Sequence, residues 1–89
     1  MRTIAVVEDA VHIGNMLAEL LPANGYAVLR AFSGSEAALL LEKERPDLVI
    51  LDLMLPGMSG EEVLARIAGL CPVIILSAKT DVRGKVKNL

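Results

Sequence analysis

Aromatic residues are almost absent from this 89-residue chain, which has one Tyr, one Phe and no Trp. Such a chain offers no stacking platform for single-stranded bases and no aromatic belt for a membrane interface. Its apolar runs, such as residues 48–51 and 73–76, are far shorter than the ~20 residues that a bilayer crossing needs. The net charge of −2 is also too small to indicate a polyanion binder. We therefore expect no direct nucleic-acid contact and no membrane segment.

Cysteine is equally scarce. The single residue of this type, Cys71, cannot form an internal disulfide, and its place before Pro72 and an apolar run indicates core filler. No signal-peptide pattern opens the chain, because the apolar run before Glu8 and Asp9 is only four residues long, at 4–7. The chain is too short for two cores, and 54% of its residues are hydrophobic. We expect one cytosolic domain over residues 1–89.

Short apolar runs alternate with amphipathic segments, a rhythm typical of βαβ units. Strands are predicted at residues 3–7, 27–31, 48–51 and 73–76. Because four strands joined by helices need right-handed crossovers, the pattern predicts a doubly wound α/β domain with a parallel sheet and helices on both faces.

Helix boundaries are marked by capping residues and prolines. Ser33 with Glu36, and Ser59 with Glu62, are capping boxes that open the second and third helices. In the first helix, Pro22 predicts an end or distortion near Leu21, followed by a glycine turn. Each predicted helix has an apolar stripe: Ile13, Met16, Leu17, Leu20 and Leu21; Ala37, Leu40 and Leu41; Val63, Leu64, Ile67 and Leu70. Asp81 is expected to cap a last short helix.

Polar side chains follow three of the predicted strands: Glu8 and Asp9 the first, Asp52 the third and Ser77 the fourth. The carboxyl ends of parallel strands meet at one edge, where ligands of such sheets bind. Crowded carboxylates repel one another unless a cation offsets their charge, and oxygen-only ligation favours Mg²⁺. The simpler alternative is that Asp9 caps the first helix and Asp52 merely begins a polar loop.

A carboxylate can also attack phosphorus and form an acyl phosphate when a cation shields its charge. Asp52 is the candidate, since it ends the most buried strand and the loop after it can offer a backbone oxygen to the metal. Ser77 could donate its hydroxyl to a phosphoryl oxygen, a contact that exists only after modification and could therefore drive a conformational switch.

The segments IAVVED at 4–9, PDLVILDLMLPGMSG at 46–60 and PVIILSAK at 72–79 resemble the receiver domain of two-component response regulators. The resemblance covers the whole chain and implies the flavodoxin-like, CheY-like fold with strand order 2-1-3-4. It also implies site roles: Asp52 as phospho-acceptor, Glu8 and Asp9 as acids of the Mg²⁺ site, Met54 as the backbone carbonyl ligand, and Ser77 as the switch hydroxyl. The phosphoryl donor would be a phosphohistidine of a sensor histidine kinase. The tail AKTDVRGKV at 78–86 resembles receivers fused to a DNA-binding output domain, which would lie outside this chain.

The chain departs from that family pattern at its carboxyl end, where receivers have a fifth strand bearing a lysine and a fifth helix. Lys79, Lys85 and Lys87 do not replace that lysine by position, and we interpret them as solvated charges. The fourth strand should then be an open apolar edge beside an uncovered sheet face. We expect the 89-residue chain to self-associate, for example as a homodimer through that edge or face, or to be only marginally folded.

Several functions remain open. The leading hypothesis is a signalling switch that accepts a phosphoryl group by self-catalysis, without the independent turnover of an enzyme. A degenerate receiver that acts as a phosphorylation-independent interaction module is the alternative. A nucleotide-binding protein is disfavoured because Glu-Asp-Ala follows the first strand instead of a glycine-rich phosphate cradle. A phosphatase with an Asp-x-Asp nucleophile is disfavoured because Leu53 and Met54 follow Asp52.

Overall fold

The computed structural model describes residues 1–55 and 57–76, and every element below lies in those ranges. Strands and helices alternate along the chain: β1 (Arg2–Val7), α1 (Val11–Ala23), β2 (Tyr26–Ala31), α2 (Gly34–Lys43), β3 (Leu48–Asp52), α3 (Gly60–Ile67) and β4 (Val73–Leu76). The described strands form one sheet in the order β2-β1-β3-β4, and each neighbouring pair is parallel. The predicted fold class and strand order are confirmed. The last helix expected after Asp81 lies outside the described residues.

The sheet separates two apolar layers, because successive side chains of a strand point to opposite faces. One layer joins β1 and β3 to the inner faces of α2 and α3; its fully buried members include Ala5, Val7, Val49, Leu51, Ala37, Val63 and Ile67. The other layer is smaller and packs β1 and β3 against α1; its members include Ile4, Val6, Ile50, Leu17 and Leu21. The central strands β1 and β3 are thus covered on both sides, as their continuous apolar runs predict.

Serine side chains begin α2 and α3, as the capping boxes predict. The Ser33 hydroxyl accepts a hydrogen bond from the backbone N–H of Glu36 at 3.1 Å. The Ser59 hydroxyl accepts one from the N–H of Glu62 at 3.2 Å. The Glu36 carboxylate reaches back to the N–H of Phe32 at 3.4 Å, one residue before the cap. Caps of this kind contribute ~1 kcal/mol each to helix stability.

The end of α1 differs from the prediction. The helix includes Pro22 and ends at Ala23, two residues beyond Leu21. Pro22 lies in the last turn, where its missing N–H and its ring disturb a single turn of the hydrogen-bond ladder. Just after the helix, the N–H groups of Asn24 and Gly25 donate hydrogen bonds to the carbonyls of Leu21 and Pro22, both at 3.0 Å. Gly25 has a φ of 89°, so the predicted glycine turn is confirmed.

The apolar stripe of α3 is shorter than predicted. Val63 and Ile67 are buried, whereas Leu70 is 59% exposed and lies outside the helix. The reason is local, because Ala68 leaves helical geometry with ψ 127° and Gly69 then turns the chain with φ 87°. Cys71, two residues after Gly69, packs against the larger core layer, and burial raises the pKa of its thiol. This agrees with its interpretation as core filler.

The outer part of the smaller layer is open. Leu17 and Leu21 of α1 pack on the sheet, but Met16 and Leu20 are 56% and 52% exposed. Only part of the predicted apolar stripe is therefore buried. Ile74 of β4 pairs in register with the buried Ile50, yet is itself 51% exposed. Within residues 1–55 and 57–76, no helix is long and apolar enough to cross a membrane.

Candidate metal and phospho-acceptor site

The candidate site lies where β1 and β3 end side by side. Val7 and Leu51 are register partners in the parallel ladder, so Glu8 and Asp52, one residue further on each strand, are neighbours. The N–H of Glu8 donates to the carbonyl of Ala31 at 3.1 Å, which extends the contact of β1 with β2 by one residue. Glu8 is therefore held as firmly as a strand residue.

The structure brings three carboxylates together, as the sequence predicts. Glu8, Asp9 and Asp52 each offer an oxygen within 4.8 Å of the oxygens of the other two. Glu8 and Asp52 are only 2% and 3% exposed, whereas Asp9 lies at the surface. The cluster thus has two buried acids and a third at its mouth. Buried charges of one sign require compensation, and oxygen atoms in this number suit a hard divalent cation.

Backbone N–H groups fix the orientation of the two buried acids. Asp52 Oδ1 accepts a hydrogen bond from the N–H of Met54 at 2.9 Å. Glu8 Oε2 accepts one from the N–H of Ala10 at 3.0 Å. In both cases the donor is two residues further along the chain, so the turn that follows each strand holds the carboxylate at its end. The side chains are positioned before any ligand binds.

Asp9 does not cap α1, so the simpler interpretation of this residue is wrong. The N-cap of α1 is Ala10, and no side chain makes a capping hydrogen bond there. The Asp9 carboxylate instead joins the acidic cluster. Asp52 is likewise more than the start of a polar loop, because it is the last residue of β3 and is buried.

The pKa of Glu8 rises from its ordinary value of 4.5 to about 7, and burial is the largest cause of the rise. The hydrogen bond from Ala10 opposes the rise, whereas hydrogen bonding to Asp52 and Asp9 and the charge of Asp52 contribute to it. Burial therefore favours a proton on Glu8 when no cation is bound. A divalent cation would replace that proton, since it offsets the same repulsion.

A glycine allows α3 to begin directly against the end of β3. A side chain at Gly60 would overlap the backbone of Leu53, and its Cβ would lie 2.8 Å from the Asp52 carbonyl oxygen. The Gly60 N–H also donates to the Leu53 carbonyl at 3.3 Å. The later glycine of the 46–60 motif thus closes the base of the loop that follows Asp52, called the acceptor loop here and described at residues 53–55 and 57–59.

The remaining predicted site residues have different outcomes. Met54 contacts Asp52 through its N–H, and a role for its carbonyl as a metal ligand stays a prediction. Ser77, Lys79, Lys85 and Lys87 lie outside the described residues.

Sequence reasoning missed Gly34, whose buried backbone lies against the acceptor loop. No local pattern marks it, because its partner is 24 positions away along the chain, at Met58.

The fold and site together define a doubly wound domain with an acidic cluster at its topological switch point. Residues 4–89 match the family described as the response regulator receiver domain, and the chain belongs to this family.

Among curated proteins, KdpE, a transcriptional regulatory protein of Mycobacterium tuberculosis, is 42% identical over 91 residues, covering 100% of this chain and 40% of that protein. AfsQ1, a transcriptional regulatory protein of Streptomyces coelicolor, is 40% identical over 83 residues, covering 91% of this chain and 37% of that protein. The chain therefore spans about two fifths of the length of these curated relatives.

Solved structures show the same similarity. The receiver domain of the Francisella response regulator 1452 has a TM-score of 0.78 and 27% identity, with 84% of this chain and 64% of that chain covered. The response regulator TrrA of Thermotoga maritima has a TM-score of 0.72 and 28% identity, with 99% and 98% covered. That protein was solved in complex with Mg²⁺ and BeF.

Proposed function

We propose that this receiver domain accepts a phosphoryl group on Asp52, taken from a phosphohistidine of a sensor histidine kinase with Mg²⁺ as cofactor. The observation that carries the proposal is the cluster of Glu8, Asp9 and Asp52, whose carboxylate oxygens lie within 4.8 Å of one another at the end of the two central strands. Glu8, Asp9, Asp52 and the Met54 carbonyl would hold the cation.

The residues present fit a hard divalent ion. Their donors are oxygen atoms alone, and the raised pKa of Glu8 reflects a site where negative charge is costly without a cation. When bound, Mg²⁺ would neutralise the charge that the phosphoryl oxygens bring. The TrrA complex with Mg²⁺ and BeF supports this assignment, since that protein belongs among the similar folds.

The chain's own residues would carry the transfer. An oxygen of the Asp52 carboxylate would attack phosphorus as the bond from phosphorus to the kinase imidazole nitrogen breaks, which leaves an acyl phosphate on Asp52. The Met54 N–H, 2.9 Å from Oδ1, would keep the carboxylate plane fixed during the attack. The protein would be the acceptor in a self-catalysed reaction and not an enzyme with independent turnover.

The output of the switch would lie in another domain. The named relatives are transcriptional regulatory proteins of which this chain covers about two fifths, which supports a DNA-binding output domain outside residues 1–89. Ser77 would sense the phosphoryl group through its hydroxyl and so couple acceptance to a change of conformation. The nucleic-acid contact would then belong to the output domain.

Phosphoryl acceptance is tested with acetyl phosphate and Mg²⁺, followed by intact mass measurement. We expect the mass to rise by one phosphoryl group, and we expect Asp52→Asn to abolish the rise. Asp47→Asn is a matched control, because Asp47 is an exposed aspartate just before β3, at the opposite end of this strand from Asp52. Its carboxylate accepts a hydrogen bond from the N–H of Thr3. This variant should be modified like the wild type.

Beryllofluoride with Mg²⁺ provides a second readout through changes in the amide NMR spectrum. If the folded wild type shows neither a mass change nor a spectral change that depends on Asp52, phosphoryl acceptance is wrong. The alternative, a phosphorylation-independent interaction module, would then be the better interpretation of the same fold.

Self-association through a second copy is also proposed. Ile74 is 51% exposed in the middle of β4, and in the described part of the sheet β4 pairs only with β3. An exposed apolar residue on an outer strand favours pairing with another chain. The concentration dependence of light scattering tests this.

A further inference from the structure

The acceptor loop contacts α2 as well as α3. Its base is closed by Gly60 and Leu53, as described above, but residues 57 and 58 lie against the amino end of α2. This second contact joins two βαβ crossovers that are separate in sequence. It is formed by two adjacent residues of α2, Gly34 and Ser35, which we call the loop seat.

Gly34 provides the closest part of the seat. It is the first residue of α2 and is buried, and a Cβ built on it would overlap the backbone carbonyl of Met58. The atoms in the way belong to the backbone, so they cannot move aside by a change of rotamer. Only glycine leaves room for the loop at its present position.

Ser35 provides a polar contact next to it. Its hydroxyl accepts a hydrogen bond from the N–H of Met58 at 3.4 Å. A Cβ on Gly57 would lie 2.8 Å from the same hydroxyl, and Gly57 has a φ of 73°, in the region that favours glycine. Two consecutive loop residues are therefore fitted to two consecutive helix residues.

The seat itself is fixed. The Ser33 cap holds the first turn of α2, and Ala37, one turn further, is fully buried in the larger core layer. The loop is thus held by a rigid element at its middle and by Gly60 at its base. Met54, whose N–H orients Asp52, belongs to the same loop.

We propose that Gly34 and Ser35 are positioning residues that pre-organise the acceptor loop for Mg²⁺ binding. This inference rests on the proposed function, because it assigns the loop a role in holding the cation. A loop that is already in place has no ordering cost when the ligand binds, whereas a loosened loop must be ordered at that moment and binds more weakly. The seat acts only through the loop.

The first experiment measures Mg²⁺ affinity of Ser35→Ala by following amide NMR shifts of Glu8, Asp9 and Asp52 during titration. We expect the dissociation constant to rise about two- to threefold, as for loss of one weak hydrogen bond. Hydrogen exchange at the Met58 N–H should become faster, since its acceptor is gone. Ser35→Thr keeps a hydroxyl and should restore affinity.

Asn24→Ala is the control for this variant. It removes the hydrogen bond that Asn24 Nδ2 donates to the Leu20 carbonyl at 2.8 Å, at the carboxyl end of α1, outside both the seat and the acceptor loop. It should lower the stability of the fold without changing the Mg²⁺ affinity of the folded protein. A purely structural role of Ser35 predicts the same result for both variants.

Gly34→Ala is the stronger perturbation. Because its Cβ must displace the Met58 backbone, we expect the Mg²⁺ dissociation constant to rise on the order of tenfold. Gly25→Ala is the control: its φ of 89° makes alanine strained there, but nothing lies within 4 Å of the added Cβ. It should lower stability and leave the affinity of the folded fraction unchanged.

The outcomes separate the two claims. If the wild type binds no Mg²⁺, the proposed function fails. If the wild type binds Mg²⁺ but Ser35→Ala and Gly34→Ala bind it as tightly as their controls, the inference about the seat is wrong and the proposed function stands. Should Gly34→Ala fail to fold, Ser35→Ala with its threonine rescue decides the matter alone.

Discussion

Replacement of Glu8 by Gln tests whether the acidic cluster opposes folding when no cation is bound. The pKa of Glu8 rises from 4.5 to about 7 in the folded protein, mainly because the side chain is buried. At ~1.4 kcal/mol for each pH unit of displacement, ionised Glu8 costs the folded state on the order of 3 kcal/mol at high pH. Gln has nearly the same shape, can still accept the N–H of Ala10, and carries no charge.

The sign follows from proton binding. Between pH 4.5 and 7 the folded protein binds more protons at Glu8 than the unfolded chain does, so the free energy of unfolding falls as pH rises through this window. The contribution is fully present below pH 4.5 and lost above about pH 7. In the Gln variant this part of the pH dependence should disappear.

Urea unfolding at pH 5 and at pH 7.5, in EDTA and in Mg²⁺, measures these effects. Without Mg²⁺ at pH 7.5, we expect Glu8→Gln to be more stable than the wild type by about 1 to 3 kcal/mol. Mg²⁺ at a hundredfold excess over its dissociation constant should stabilise the wild type by ~2.7 kcal/mol and the variant much less.

Glu19→Gln is the control, since Glu19 is an exposed carboxylate on α1. It should change neither the pH dependence nor the effect of Mg²⁺. The reasoning is refuted if Glu8→Gln destabilises the metal-free protein at pH 7.5, or if its stability still falls between pH 5 and pH 7.5 as steeply as that of the wild type.

Three further predictions concern other parts of the fold. Gly60→Ala should lower the free energy of unfolding by ~1–3 kcal/mol in urea, because its Cβ meets the backbone of Asp52 and Leu53; an unchanged midpoint would contradict this. Ile67→Ala, at a core residue that is 3% exposed, should cost ~2–5 kcal/mol, whereas Leu39→Ala at 63% exposure should change stability by less than ~0.5 kcal/mol. Ile74→Lys should reduce concentration-dependent light scattering; a wild type that is a compact monomer at all concentrations would remove the basis for proposing self-association.

The parallel sheet and the meeting of the acids were predictable because both follow from local patterns and one topological rule, whereas the strand order was implied by the family resemblance. The apolar runs of β1 and β3 mark central parallel strands, and parallel strands place their following residues at one edge. Glu8 and Asp52 therefore become neighbours although they are distant in sequence. The serine caps of α2 and α3 were equally predictable from the sequence, since each hydrogen bond joins a serine to the residue three positions later.

One local turn and several non-local contacts were not predictable. Helical spacing placed Leu70 on the buried stripe of α3, but the turn at Gly69 removes it from the helix. The same spacing could not show that Met16 and Leu20 remain exposed, because exposure depends on what packs beside α1. Gly34 gave no signal at all, since its importance arises from the Met58 backbone that folding brings to it.

Five of the described glycines lie in a crowded or a spacious rim of the fold. An added Cβ would meet the acceptor loop or the end of β3 at Gly34 and Gly60 and would meet α2 at Gly57, whereas Gly25 and Gly69, in the turns that lead into β2 and β4, face open space. Changes of loop length or bulky insertions should accordingly be accommodated beside Gly25 and Gly69 and resisted near Asp52. A fluorophore, spin label or grafted peptide is best attached at the spacious rim, where it can report on the domain without disturbing its chemistry.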